Sequence, residues 1–367
     1  MNKTNPTFGQ TPPERKWIVR PYREGDEVQA VALFNRIFDK HLTLAQYLWK
    51  VIRMPWPVGT APTWFADADG LIVGQYASTP MRFQVHGEEI PIVHVCDVMT
   101  HPDFRRQGIL SVVGEAAHRA WAEQGVAFVT GFPHKGWGSR SAYLNWETMH
   151  HADWMWKPLR LDQVLREKIP LPSFLAAPVR MLGIIGNSLR DALLELDTSA
   201  IEVTEVTTPG GEFDQLWQRL RQAYEAMVVR DRAWIQYRYA NAPEMGYGLL
   251  LARRAGQPTG YLAYRLRRLP NGTVGYIADL FTAPFDLLSR LALIDYALTL
   301  FYRAGAKAAL TVVGRQSALA SVFRRAGFIR RFQPFNVSIV PLQEGLPKQV
   351  LSDPNRWFAM GGDFDMV

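Results

Sequence analysis

An apolar, strand-like run over residues 93–99 meets a helical spacing over 109–124, and the turn between them carries two arginines and a glycine. The helical pattern stops at Gly125, where a left-handed cap is expected. Ahead of this unit, period-2 and period-3.6 patterns predict a strand at 17–21 and helices at 27–38 and 44–52. Strands follow at 63–66, 72–78 and 81–85, with Asp69-Gly70 and His86-Gly87 as turn signals. Beyond Gly125 come a strand at 126–131, a short helix around 140–146 and a strand near 154–159.

The second half repeats that order. A strand at 201–207 precedes helices at 212–228 and 232–240, then strands at 248–253, 260–267 and 274–281. A long helix over 286–304 stops at Gly305, followed by a strand at 308–313, a helix at 317–326 and a strand at 336–340. Local echoes support the repeat: Trp49 stands six residues before Pro55, as Tyr237 does before Pro243, and Gly74 and Gly260 each precede an aspartate on a later strand, Asp97 and Asp279. The expected fold is α/β (α+β), two tandem domains, each a mixed central sheet flanked by helices. The boundaries read as 1–160, a helical connection over 161–200, a second domain over 201–345 and a tail over 346–367.

Composition narrows the function classes. Of 367 residues, 48% are hydrophobic and 12% aromatic, which excludes a disordered chain. The net charge of +7 is spread without a basic block, and no nucleic-acid-binding motif is present, so nucleic acid is not an expected partner. The surplus fits either a mildly basic surface or attraction of an anionic ligand such as a coenzyme. Cys96 is the only cysteine and has apolar neighbours, which predicts a buried, inert thiol without an internal disulfide. Residues 1–15 lack the apolar core of a signal peptide, and 171–189 is interrupted by Pro172, Pro178 and Arg180. A cytoplasmic protein without stable membrane insertion is therefore expected. The 179–194 stretch reads as an amphipathic helix, packing between domains or touching a membrane or partner.

The chemistry concentrates in Asp97-Val98-Met99-Thr100-His101-Pro102-Asp103-Phe104-Arg105-Arg106-Gln107-Gly108-Ile109-Leu110. A strand–turn–helix of this kind aims unpaired backbone N–H groups and a helix N-terminus at one spot, which favours a diphosphate. Arg105 and Arg106 add positive charge, and Gly108 lets the backbone come close to a ligand. The equivalent corner of the second half, Thr282-Ala283-Pro284-Phe285-Asp286, has neither glycine nor arginine, and Asp286 at its helix start would repel phosphate. His150, His151 and Asp153 have only weak metal-ligand character, and no metal site is expected.

These residues resemble the GNAT acyltransferase superfamily. Its acyl-CoA signature, Arg/Gln-x-x-Gly-x-Gly/Ala, is matched by Arg105-Arg106-Gln107-Gly108-Ile109-Leu110, with Leu110 in place of the small last residue. Gly131-Phe132-Pro133 and Trp49-Lys50…Pro55 are similar to a tandem-domain branch that includes the enhanced-intracellular-survival-type N-acetyltransferases. Val322 to Phe328 resembles the helix–Gly–strand step that closes a GNAT core.

The resemblance implies that acetyl-CoA, or another acyl-CoA, serves as cosubstrate. Backbone groups of Val98, Met99 and Thr100 would pair with its pantetheine arm beside a bulge, and Arg105, Arg106, Gln107, Gly108, Ile109 and Leu110 would hold its diphosphate. Tyr143 lies where the family takes its general acid, and a pocket-wall tyrosine is the other reading. Asp97 fits a base acting through water or a hydrogen-bond anchor, and His134 fits a base, a substrate contact or a loop residue. Trp137, Trp146, Trp154 and Trp156 could shape an acceptor pocket or pack the core. Asp363 and Asp365 either fold back toward a cationic acceptor or stay in an exposed tail.

The implied activity is N-acetyl transfer to a primary amine of a small molecule, such as an amino sugar or aminoglycoside-like acceptor, in a protein that could form a homo-oligomer. Two other readings stay open: an acyl-CoA sensor or scaffold without turnover, and an aminoacyl-tRNA-dependent ligase.

Overall fold

In the computed structural model the described residues are 16–56, 62–132, 144–166, 178, 181, 197–331 and 334–364. The chain opens with β1 (Ile18–Pro21), the helices α1 (Asp26–Phe38) and α2 (Leu44–Val51), and β2 (Thr63–Ala68). Thr43 caps α2 through a reciprocal bond pair with Gln46, which satisfies two otherwise orphaned N–H groups. The two strands expected at 72–78 and 81–85 are one, β3 (Leu71–Val85), because Pro80 lies within the ladder without interrupting it.

β4 (Glu88–Thr100), α3 (Ile109–Glu123), β5 (Phe128–Gly131) and β6 (Glu147–Pro158) complete the first half, and α4 (Leu161–Arg166) follows. Gly125 has φ 78, the left-handed stop expected after α3.

The second half holds β7 (Glu202–Val206), α5 (Gly211–Leu220), β8 (Ala226–Val228) and α6 (Arg232–Ile235), which a π-type turn extends over Gln236–Ala240. Then come β9 (Tyr247–Arg254), β10 (Gln257–Leu269), β11 (Gly272–Thr282), α7 (Leu287–Arg303), β12 (Ala308–Gly314) and α8 (Ala318–Arg325). The chain ends with β13 (Ile329–Arg330), β14 (Phe335–Pro341), α9 (Lys348–Leu351) and β15 (Trp357–Phe358), then a turn at Gly361–Asp363. The helix expected at 212–228 stops at Leu220. Its last residues form β8 instead, which pairs with the edge of β3 at Phe83↔Val228 and with β15 at Phe358↔Met227.

Among the described residues fifteen strands join one mixed sheet, whose main path runs β1-β2-β3-β4-β5-β14-β6-β12-β11-β10-β9-β7. The two halves therefore exchange strands. β14 of the second half lies beside β5 of the first, and β6 of the first lies beside β12 of the second. Alternation along β3 and β4 divides the first half's core between two faces. Val73, Tyr76, Val93 and Val95 pack under α3 with Trp121, while Ile72, Ala77, Cys96 and Met99 pack under α1 and α2 with Phe34 and Tyr47. No helix among the described residues is long and apolar enough to cross a membrane. The 179–194 stretch, apart from Met181, lies outside them.

Candidate acyl-transfer cleft

Two irregularities open the sheet beside β4. The first is a bulge: Gln75 pairs with Met99 and Ala77 with Cys96, so Asp97 and Val98 together face Tyr76. Asp97 in this bulge takes the left-handed conformation, φ 47. The second is a parting of strands. The parallel pairing of β4 with β5 covers only Val93↔Val129 and His94↔Thr130, after which β5 follows β14. Among the described residues, the β5-facing edge of β4 over 95–100 pairs with no strand. Val98, Met99 and Thr100 lie on that open edge.

The turn after β4 leads directly to α3. Arg106 (φ 66) and Gly108 (φ 73) both take left-handed backbone, and residues 105–108 are exposed. None of the N–H groups of Arg106 through Leu110 donates to another described residue. The first such bond in this region is Val112 N–H to the Gly108 carbonyl, 3.2 Å. Nothing lies within 4 Å of where a Cβ would sit on Gly108. The turn thus offers unclaimed donors at the positive end of a fifteen-residue helix. Trp17 Nε1 steadies it by donating to Gln107 Oε1 at 3.1 Å. Gly74 is needed underneath, because a Cβ there would collide with Ile109 Cγ2. Leu110 is half-buried against the α3 core.

The same corner of the second half is closed. Asp286 caps α7, accepting from Ser289 N at 3.1 Å and from Ser289 Oγ at 2.8 Å, and it pairs with Arg254 at 3.0 Å. The notch between β11 and β12 is filled by the end of the chain. Met360 bridges to Val313 on β12, and Gly362 sits so close to the Ala278 carbonyl on β11 that a side chain there would crowd it. Asp363 is buried in this plug. Arg230 binds it at 2.6 and 2.7 Å and also holds Asp279 at 3.1 Å. Burial pushes the Asp363 carboxyl up to about 6, Arg230 pulls it down and Asp279 raises it further. Asp363 has thus folded back, but onto an internal arginine; Asp365 lies outside the described residues.

A cavity of about 410 Å³ lies between the halves, within the range of small-molecule sites. Asp97 reaches it and is held by Lys50 Nζ at 2.8 Å. His94, at the last position of β4 paired with β5, also lines it and packs on Phe364 at a tilt, ring centroids 5.5 Å apart. Its aromatic walls are Trp49 and Tyr237, which exchange hydrogen bonds of 2.9 Å, each donating to the other's carbonyl. The echo noted in the sequence is therefore a contact across the junction. Trp146, Trp154 and Trp156 do not line this cavity; they pack against the α3 core and near Tyr276. His134, Tyr143 and Trp137 lie outside the described residues. His150 packs on Trp357, and Asp153 is taken by Arg315 at 2.7 Å and Arg330 at 3.5 Å.

The sequence reading missed Lys50 as the partner of Asp97, and Arg265 and Arg267 on β10 as cavity walls. The signal for the arginines was their i, i+2 spacing, which puts both on one face of a strand.

Residues 18–143 match the family model described as an acetyltransferase (GNAT) domain. No curated protein matches the chain. Among solved structures, a GCN5-related N-acetyltransferase from Anabaena variabilis is similar at 12% identity and a TM-score of 0.63, over 89% of this chain and 73% of that one. A conserved protein from Enterococcus faecalis, described as a probable N-acyltransferase, is similar at 13% and 0.62, over 89% and 73%. N-myristoyltransferase from Saccharomyces cerevisiae with bound myristoyl-CoA is similar at 11% and 0.60, over 91% and 85%. At such identities the likeness is one of fold. Residues 18–143 thus match an acetyltransferase (GNAT) domain model, and the fold over about nine-tenths of the chain is similar to that of these solved structures.

Proposed function

We propose that this protein is an N-acyltransferase that moves an acyl group, most simply acetyl, from acyl-CoA to a primary amine. The observation that carries the reading is the parted β4–β5 edge beside the unclaimed N–H groups of Arg106 through Leu110. Those groups, with the Arg105 and Arg106 side chains, would hold the diphosphate, and the open edge at Val98, Met99 and Thr100 would accept the pantetheine amide groups. When bound, acyl-CoA supplies an activated thioester. The acceptor nitrogen bonds to the acyl carbon as the carbon–sulfur bond breaks; the amine's proton goes to a base, and the leaving sulfur takes one from an acid.

Asp97, ion-paired with Lys50 at 2.8 Å, lines the cavity from which an amine would approach, and serves as base through water. His134 is the other candidate base and Tyr143 the candidate acid. The joined halves support a tandem acyltransferase in which one half binds coenzyme and both build the acceptor site.

Thermal unfolding with and without acetyl-CoA tests the reading. At 100 times Kd the coenzyme should add about 2.7 kcal/mol of stability, and Gly108→Trp should abolish that gain while lowering the unliganded transition only by the roughly 1–2 kcal/mol of a left-handed non-glycine residue. A thiol-release assay with an amine panel then separates an enzyme from a sensor. Equal protection of the wild type and Gly108→Trp would remove the diphosphate from this turn.

A further inference from the structure

The charge of the acceptor cavity is one-sided. Its two carboxylates are already matched, Asp97 by Lys50 and Asp363 by Arg230. What remains on its walls is cationic: Lys40 from the α1–α2 connection, and Arg265 and Arg267 from β10. None of these three makes an ion pair with a carboxylate among the described residues. Arg265 is the most exacting case, since its Nε is buried without a hydrogen-bond acceptor. A buried guanidinium N–H left unsatisfied is costly, so Arg265, which lines the cavity without a carboxylate partner among the described residues, stands to gain from an oxyanion bound there. Burial lowers the Arg265 pKa, the Tyr247 phenol opposes that, and neighbouring Arg267 and Arg238 lower it further. Arg238, on the facing wall, donates to the Gly362 and Phe364 carbonyls at 2.8 and 2.9 Å.

Resting on the acyltransferase reading, we propose that the acceptor amine also carries an anionic group, a carboxylate or a phosphate, which Arg265 and Arg267 bind with Lys40 at the rim. The guanidinium fork matches both oxyanions, and two arginines on one strand face can grip a single group. A polyamine or aminoglycoside-like acceptor would instead meet the like charges of Lys40, Arg265 and Arg267.

The test is steady-state thiol release from acetyl-CoA by the full chain, with acceptors paired so that only the anion differs. The pairs are glutamate and glutamate dimethyl ester, ethanolamine and O-phosphoethanolamine, and glucosamine and glucosamine 6-phosphate; spermidine and kanamycin are the polycations. The anionic member of at least one pair should have a kcat/KM at least tenfold higher, and which pair responds distinguishes carboxylate from phosphate. Arg265→Gln should raise KM for that acceptor about ten- to hundredfold with the KM for acetyl-CoA unchanged, and Arg265→Lys should recover part of the loss. Calorimetric titration of the same acceptors into the protein should show the same order without turnover. Turnover that prefers spermidine, kanamycin or the neutral members, or an Arg265→Gln variant with unchanged preference, overturns the anionic acceptor and leaves the acyltransferase reading intact. Absence of both acetyl-CoA protection and thiol release with every amine brings down both.

Discussion

Replacing Arg230 with methionine withdraws the cation that holds two buried carboxylates and, through one of them, the end of the chain. The Arg230 and Asp279 side chains are fully buried and that of Asp363 is 2% exposed. Asp279 has other donors, the Tyr261 hydroxyl at 2.6 Å and the Leu280 amide at 3.0 Å, but Asp363 keeps only the Met360 amide at 2.9 Å. Breaking a buried pair by deleting one partner costs about 3–5 kcal/mol. With an unfolding entropy of about 2.1 cal/mol/K per residue, a chain of this length should lose roughly 4–7 °C in Tm.

The loss should appear first in hydrogen exchange of residues 357–364, because this plug is tied to the body by two short strand pairings, the Arg238 bonds to the Gly362 and Phe364 carbonyls, and Asp363. The pH dependence has a definite sign. Asp363 titrates near 6 in the folded protein against 3.8 when unfolded, so the native state holds the extra proton between those values. Its contribution therefore strengthens as pH falls through 6 and is lost as pH rises past it, a slope that Asp363→Asn should remove. An Arg230→Met protein with a Tm within about 1 °C of wild type and unchanged exchange at 357–364 would refute the argument.

Two more outcomes follow from packing and burial. Gly74→Ala should cost about 1–3 kcal/mol by overpacking against Ile109 and raise the KM for acetyl-CoA by tilting the first turn of α3, read by urea unfolding and initial rates; an unchanged KM would separate that turn from coenzyme binding. Burial lowers both His118 and His150 to about 4 from 6.5, so the unfolded chain binds more protons and each site should lose roughly 3 kcal/mol of stability as pH falls from 6.5 to 4. His118→Phe should flatten its share of the slope in urea midpoints at pH 7 and 4.5, and a slope identical to wild type would contradict the assignment.

How much of this was legible in the sequence depended on how local each feature is. The α3 stop at Gly125, the β4 alternation and the donor-rich turn are set by neighbours within a few residues, so periodicity and glycine placement revealed them. Strand partners are not local. β6 carries a strand's pattern, yet nothing in it states that its neighbours are β14 and β12, more than 150 residues away in sequence. The 224–228 stretch is apolar enough to continue a helix and becomes a strand because β3 and β15 offer edges. The tail gave a weaker signal: Trp357 and Phe358 are apolar, but the burial of Asp363 follows only from Arg230, which lies 133 residues earlier. Trp146, Trp154 and Trp156 take the core-packing alternative, while Trp49 and Tyr237, noted only as an echo, are aromatic walls of the cavity.

The two halves share a bulged strand and a parting beside it, and they differ at the corner where the proposed coenzyme would enter. At the first corner the helix donors are open and Gly108 leaves space; at the second Asp286 consumes donors and adds a charge of the wrong sign. Between β4 and β5 an edge is left unpaired, whereas the gap between β11 and β12 holds the chain's own end. An unplugged second notch would expose Arg230, Asp279 and the surrounding tyrosines, a polar cluster that the plug satisfies internally. The plug in turn carries Phe364 to His94, so the segment that closes the second notch also walls the cavity beside the first. Exchange of β6 and β14 then hydrogen-bonds the halves into one sheet, which fixes the distance between Asp97 on β4 and the arginines of β10. The proposed division of labour follows from this geometry: acyl-CoA would bind at the open corner of the first half, and the acceptor would be selected by the arginines of the second.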